Sequence, residues 1–318
     1  MLRGLCILAI LLFHTEMYYV GETIIDYNLY VSNVLTAFYF ISGYVFVPFG
    51  EKPFSLRYKL ISILRNIVIP YFIFTMLLAI PKAYVNDIPL TEVLLKIAHG
   101  NGSWFVTSLI SAELCFALLI SLKSKWLVHI ISIATFVSSS LFINSDFSNH
   151  YNYWNVHNAM IALWFLDLGW LYRRYENLFQ PFNRPLTLLL LLLSIISIKV
   201  IEQLHDVVLI IEPVIISHYL VFFFDTIIFI AFLVSLCKQL PPSSMLAKMG
   251  RWSLVIYFFC GAIPMAVGKL MHHIHLDYQS NYLMVIIVFI INTLLSSVIA
   301  WIIYHYTPEL TGQYGRKK

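Results

Sequence analysis

"LRGLCILAILLFHTEMYYV", residues 2–20, decides the fold, because this apolar, helix-length run also carries Arg3, His14 and Glu16. At about 1.5 Å per residue it can cross a hydrocarbon layer of about 30 Å as a single helix. Its end, "FHTEMYYV", offers polar and aromatic residues where a cleaved signal would have small ones, so the segment is expected to stay in the mature protein.

Runs of this kind recur along the chain. Of 318 residues, 60% are hydrophobic and 11% charged, with a mean hydropathy of +0.82, against about 25% charged in an ordinary soluble domain. The runs lack the period-two alternation of an outer-membrane barrel, which leaves helices whose backbone groups are satisfied internally. The sequence predicts an all-α polytopic membrane helical bundle, one domain over 1–318, with ten spans. These fall at about 2–20, 29–49, 60–80, 103–122, 126–143, 157–172, 186–202, 208–237, 252–271 and 283–306. Turn-rich loops such as "PFGEKPF", "QPFNRP" and "QLPPSSM" separate some of them.

Lysine and arginine orient the bundle, since cytoplasmic loops carry the excess. Arg3, Lys52, Arg57, Lys59, Arg65, Lys123, Lys125, Arg173, Arg174, Arg184, Lys238, Lys248, Arg251, Arg316, Lys317 and Lys318 fall on one side. Of the 20 basic residues only Lys82, Lys96, Lys199 and Lys269 fall on the other. Both termini are therefore expected in the cytoplasm. The net charge of +4 follows from this loop bias and argues nothing for nucleic acid. Cys6, Cys115, Cys237 and Cys260 show neither metal-ligand spacing nor an outer-loop pair, so disulfides and zinc are not expected. No internal repeat of the kind that builds many carriers is evident.

An ionisable group at membrane depth costs about 2.5–3.5 kcal/mol on insertion scales and usually faces a cavity or a partner. The deep set is His14, Glu113, Asp167, His218 and Asp225, with Arg3, Glu16, Arg65, Glu202 and Glu212 nearer the interfaces. His14 follows Arg3 by eleven residues, close to three turns and roughly 16 Å of rise, so both share one helix face. Two readings fit. A guanidinium grips an anionic donor and an imidazole acts as base, or a snorkelling anchor accompanies a histidine bonded to a neighbouring helix.

Four stretches in order carry a family resemblance. "LRGLCILAILLFH" places arginine and histidine in the first helix, "FYFISGYVF" lies at 38–46, "LRNIVIPYFIF" at 64–74 and "SWFVTSLI" at 103–110. Together they resemble the integral-membrane acyltransferase family 3. The resemblance implies transfer of an acyl group, commonly acetyl from cytoplasmic acetyl-CoA, to a hydroxyl of a surface polysaccharide, peptidoglycan or lipid-linked sugar. It makes His14 the catalytic group and Arg3 a donor-binding or helix-positioning one. It also implies a multi-pass protein of a bacterial inner membrane, with lipid, acyl-CoA and a glycan or lipid-linked sugar as partners. Two departures stand out. Cys260 occupies the place in "MGRWSLVIYFFC" where the family pattern usually has histidine, and the third-helix basic motif is thin, Arg65 being followed by Asn66.

The remaining candidates each have two readings. Ser42, beside Gly43, reads as a serine nucleophile or as a small residue that lets backbones approach closely. Trp104 either stacks on sugar or acyl arm or anchors at the interface. Glu113 lines the cavity with a catalytic part or needs a partner, and Asp167 and Asp225 neutralise cytoplasmic-side cations or take part. "HHIH" at 272–275 lacks further ligands at fixed spacing, so no metal is expected. The candidate site is thus His14, Arg3 and Glu113 for catalysis and Arg65, Ser42 and Trp104 for substrate binding. In one route His14 takes the proton of the attacking hydroxyl. In the other it carries the acyl group itself. The rival reading is a proton-coupled transporter or flippase for a small solute or lipid-linked sugar, with the buried ionisable groups as a proton relay.

Overall fold

A computed structural model describes residues 1–47, 54–122, 124–143 and 145–312, apart from the side chains of Lys82, Val85 and Asn86. Lys52, Lys123, Arg316, Lys317 and Lys318, used above for orientation, lie outside the described residues. In chain order the helices are α1 (Leu2–Thr15), α2 (Tyr27–Tyr44), α3 (Leu56–Ile63), α4 (Ile69–Asn86), α5 (Leu90–Ala98), α6 (Trp104–Ser121), α7 (Lys125–Ser139) and the single turn α8 (Asp146–Asn149). They continue with α9 (Val156–Arg174), the single turn α10 (Glu176–Phe179), α11 (Pro185–Leu204), α12 (Tyr219–Gln239), α13 (Ser244–Phe259), α14 (Ala262–His273) and α15 (Tyr282–Tyr306). π-Helical turns extend α1 (Glu16–Val20) and join α3 to α4 (Leu64–Val68). The chain is an all-α, multi-pass membrane protein.

Among the described residues, seven segments are long and apolar enough to cross a membrane, and an eighth is counted if α13 and α14, bent by 65° at their junction, form one span. The other two expected spans are also helical, α2 with 18 residues and α9 with 19. Their lower apolarity comes from what they bury: Ser32, Asn33 and Thr36 in α2, and His157, Asn158 and Asp167 in α9.

The expected span over 208–237 is corrected at its start. Residues Leu209–Ile210 (β1) and Ile215–Ile216 (β2) pair antiparallel, Leu209 opposite Ile216 and Ile210 opposite Ile215, and the helix begins only at Tyr219. Pro213 has no amide hydrogen for an intrahelical bond, and the β-branched residues around it suit a strand. His218, placed deep by the sequence, is exposed in the residue before α12.

The chain forms two compact units, Met1–Leu35 with Leu240–Lys318, and Thr36–Gln239. Lipid is as apolar as leucine, so helices in a bilayer associate through close packing and polar contacts rather than hydrophobic transfer. The first unit shows the packing at Gly4, where an added Cβ would sit 2.2 Å from the Leu246 carbonyl oxygen of α13. In the second, a Cβ on Gly43 would lie 1.9 Å from the Leu166 oxygen, and one on Gly169 1.9 Å from the Phe40 oxygen. Glycines on both helices thus bring α2 and α9 into backbone contact.

Candidate functional site

In the first unit, Arg3 and His14 both lie in the unbroken helix α1. Arg3 packs beside α13, its Cβ 3.4 Å from where a Gly250 Cβ would stand. His14 is half-buried. Phe13 meets it edge-on at 5.2 Å, and Tyr18 stacks on it at 6.0 Å with an interplanar angle of 16°. No hydrogen bond among the described residues ties either ring nitrogen of His14. A neutral imidazole offers one donor and one acceptor, so both remain available to a substrate.

The π turn after α1 inserts an extra residue into the helical register, a distortion frequent at functional sites. It ends at Gly21, whose φ of 95° is left-handed and suits glycine. Glu16, at the start of this turn, is fully buried. Its carboxylate accepts from the Ile24 and Ile25 amides at 3.0 and 3.1 Å and from the Tyr282 hydroxyl at 2.7 Å. Glu16 is therefore a bracket between the chain leaving α1 and the start of α15. Next to His14, Thr15 receives a hydrogen bond from Asn292 of α15 at 3.0 Å. The Asn292 Oδ1, Thr293 Oγ1 and Ser296 Oγ atoms are buried with no protein partner among the described residues.

Cys260, where the family pattern has histidine, is buried at the α13–α14 bend. The adjoining Gly261 faces the Tyr18 hydroxyl, 3.6 Å from where its Cβ would be. Tyr18 thus reaches from the His14 ring towards the bend. Sequence reading passed over Tyr18, although its position four residues after His14 was a usable signal.

The other four candidates lie in the second unit. Glu113 of α6 is buried and its Oε2 is 3.1 Å from Lys59 Nζ of α3, which also sits 3.7 Å above the Phe46 ring. Arg65 is exposed in the π turn between α3 and α4. Ser42 is buried beside the α2–α9 contact at Gly43. Trp104 opens α6, half-buried and edge-on to Phe105. The deep acids find basic partners in the same unit. Asp167 holds His129 Nδ1 at 2.8 Å, and Asp225 holds Lys199 Nζ at 2.7 Å, with Glu202 on the same lysine at 3.0 Å. Lys59, His129 and Lys199 are the residues that sequence reading left unpaired with these acids. Among the described residues no group of three or more His, Cys, Asp or Glu could hold a metal ion.

The fold is that of a polytopic helical membrane protein, with His14 unbonded among the described residues within its first span. Comparison with known families narrows it: the acyltransferase domain of acyltransferase family 3 matches residues 1–304, and the chain belongs to that family of membrane acyltransferases. No curated protein and no solved structure gave a significant match.

Proposed function

We propose that this protein, acting as one functional domain over residues 1–318, transfers an acyl group, acetyl in the first instance, from acyl-CoA to a hydroxyl of a cell-surface glycan or lipid-linked sugar. The observation that carries this reading is the half-buried His14, with both ring nitrogens unbonded among the described residues, on the helix that also bears Arg3. Arg3 binds donor phosphates from the cytoplasm. His14 takes the proton of the acceptor hydroxyl as its oxygen attacks the thioester carbonyl, and the CoA thiolate leaves. Binding both partners makes the attack effectively intramolecular. The buried, unpartnered oxygens of Asn292, Thr293 and Ser296 support a hydrated or ligand-filled space on the α15 side of the same unit. In the same reading Arg65, Ser42 and Trp104 of the second unit bind substrate and Glu113 takes a catalytic part.

The test uses purified, folded variants. His14→Ala is expected to lower acyl transfer by about 10²- to 10⁴-fold, the usual value of general acid-base assistance, while acetyl-CoA still binds. Arg3→Ala is expected to weaken acetyl-CoA binding, and Arg3→Lys to restore part of it, because lysine keeps the charge without the forked geometry. Near-normal transfer by His14→Ala would remove the central residue of the proposal and bring the transporter reading forward.

A further inference from the structure

The second unit contains a cavity of about 700 Å³ between α9, α11 and α12, and acyl transfer by His14 makes no use of it. Its walls are Leu168 and Leu171 of α9, Leu191 of α11, and Ile227, Ile230 and Ala231 of α12. Tyr172, Tyr175, Phe179, Phe182 and Asn183 line it where α9, α10 and the start of α11 meet, and Ser235 lines it on α12. From Ser235 to Ile227 along α12, or from Tyr175 to Leu168 along α9, the cleft runs roughly 10–12 Å at helical rise. Its length and apolar lining suit a hydrocarbon chain.

The aromatic end is basic. Arg173, Arg174, Arg184 and Lys238 lie there against one carboxylate, Glu176, which pairs with Lys238 at 2.6 Å. The Arg174 guanidinium sits 5.5 Å from the ring of the lining residue Tyr175, and the Lys238 ammonium 5.4 Å from that of Tyr172. Arg184 adjoins the lining residue Asn183, and its carbonyl is tied through Gln239 to the lining Ser235. Arg174 and Arg184 are exposed and form no ion pair among the described residues. All four cations also belong to the side of the chain that the lysine and arginine bias assigns to the cytoplasm, where the leaflet carries anionic lipid.

We infer that this cleft binds an anionic glycerophospholipid of the inner leaflet, one acyl chain lying between α9, α11 and α12 and the phosphate resting on Arg174 and Arg184. The site is separate from acyl transfer and does not depend on that reading. The apolar walls select a chain, and the unpaired guanidiniums select an anionic headgroup.

Native mass spectrometry of the full-length protein in detergent tests this by titrating phosphatidylglycerol and phosphatidylcholine with matched palmitoyl chains. Wild-type protein is expected to retain one phosphatidylglycerol in preference to phosphatidylcholine, and to bind the dihexanoyl form much more weakly than the dipalmitoyl. The double variant Arg174→Gln, Arg184→Gln is expected to lose about 30-fold in phosphatidylglycerol affinity, the loss set by two surface cations each attracting an anionic lipid. Ala231→Trp, which fills the cleft, is expected to abolish the chain-length dependence. Equal retention of the two lipids, or a double variant that binds like wild type, overturns the headgroup assignment. Equal binding of short and long chains by wild type overturns the chain assignment without recourse to a variant.

Discussion

Replacing Glu113 separates a structural from a chemical role for the one acid that the sequence placed among the catalytic candidates. Glu113 and Lys59 have side chains 7% and 16% exposed and meet at 3.1 Å, so either one left alone is a charge held away from water. Removing one partner of a buried pair costs about 3–5 kcal/mol, whereas replacing both with apolar residues of similar volume is often neutral. Glu113→Leu is therefore expected to destabilise the protein by about 3–5 kcal/mol, with a fall in Tm on the order of 5–10 °C for a chain of this size. The double variant Lys59→Met, Glu113→Leu is expected to recover most of that loss. Thermal unfolding in detergent of wild type, both single variants and the double variant gives the coupling directly, and acyl transfer is measured on the same samples. A double variant as unstable as Glu113→Leu would refute the pairing argument. A stable double variant without transfer would show that the carboxylate or the ammonium takes part in the reaction.

Reporter fusions at Lys318 and in the loop near Asp146 are expected to report cytoplasmic and external locations respectively; a cytoplasmic signal near Asp146 would break the orientation. Cys260→Ser is expected to keep most acyl transfer, its thiol being a packing group at the α13–α14 bend, and complete loss at normal membrane levels would reveal a reactive cysteine. Burial raises the Glu212 carboxyl above its ordinary value, the hydrogen bond from Asn158 only partly opposing this. A group that binds its proton more tightly when folded loses stability as pH rises through and above its unfolded value. Glu212→Gln is therefore expected to unfold at a higher temperature than wild type at pH 7, the difference shrinking as the pH falls from the raised folded value towards about 4.5 and vanishing below it; no difference at pH 7 would contradict the assignment.

The spans were legible because apolar runs of helix length leave few alternatives in a bilayer. The shared face of Arg3 and His14 was legible too, since an eleven-residue interval fixes it in any straight helix. The ribbon before α12 was not, because a short apolar run such as Val207 to Ile216 reads equally as strand or buried helix. The partners of the acids were hidden for another reason. Lys59 lies 54 residues before Glu113, and His129 38 before Asp167; such pairs form only when separate helices are packed, and a lysine near a predicted membrane boundary looks like an interfacial anchor.

The first unit joins Met1–Leu35 to Leu240–Lys318, and this has a consequence for biosynthesis. The helix bearing Arg3 and His14 leaves the ribosome well before α13, against which Gly4 is seated and which follows more than two hundred residues later. At a synthesis rate of about 5–20 residues per second, that interval is on the order of 10–50 s. The intended neighbours of α1 in this unit do not yet exist during that time, and the Glu16 carboxylate waits for the Tyr282 hydroxyl. A ribosome stalled after α12 would therefore leave in the membrane a nascent chain whose α1 has none of these partners, a species for membrane quality control to recognise.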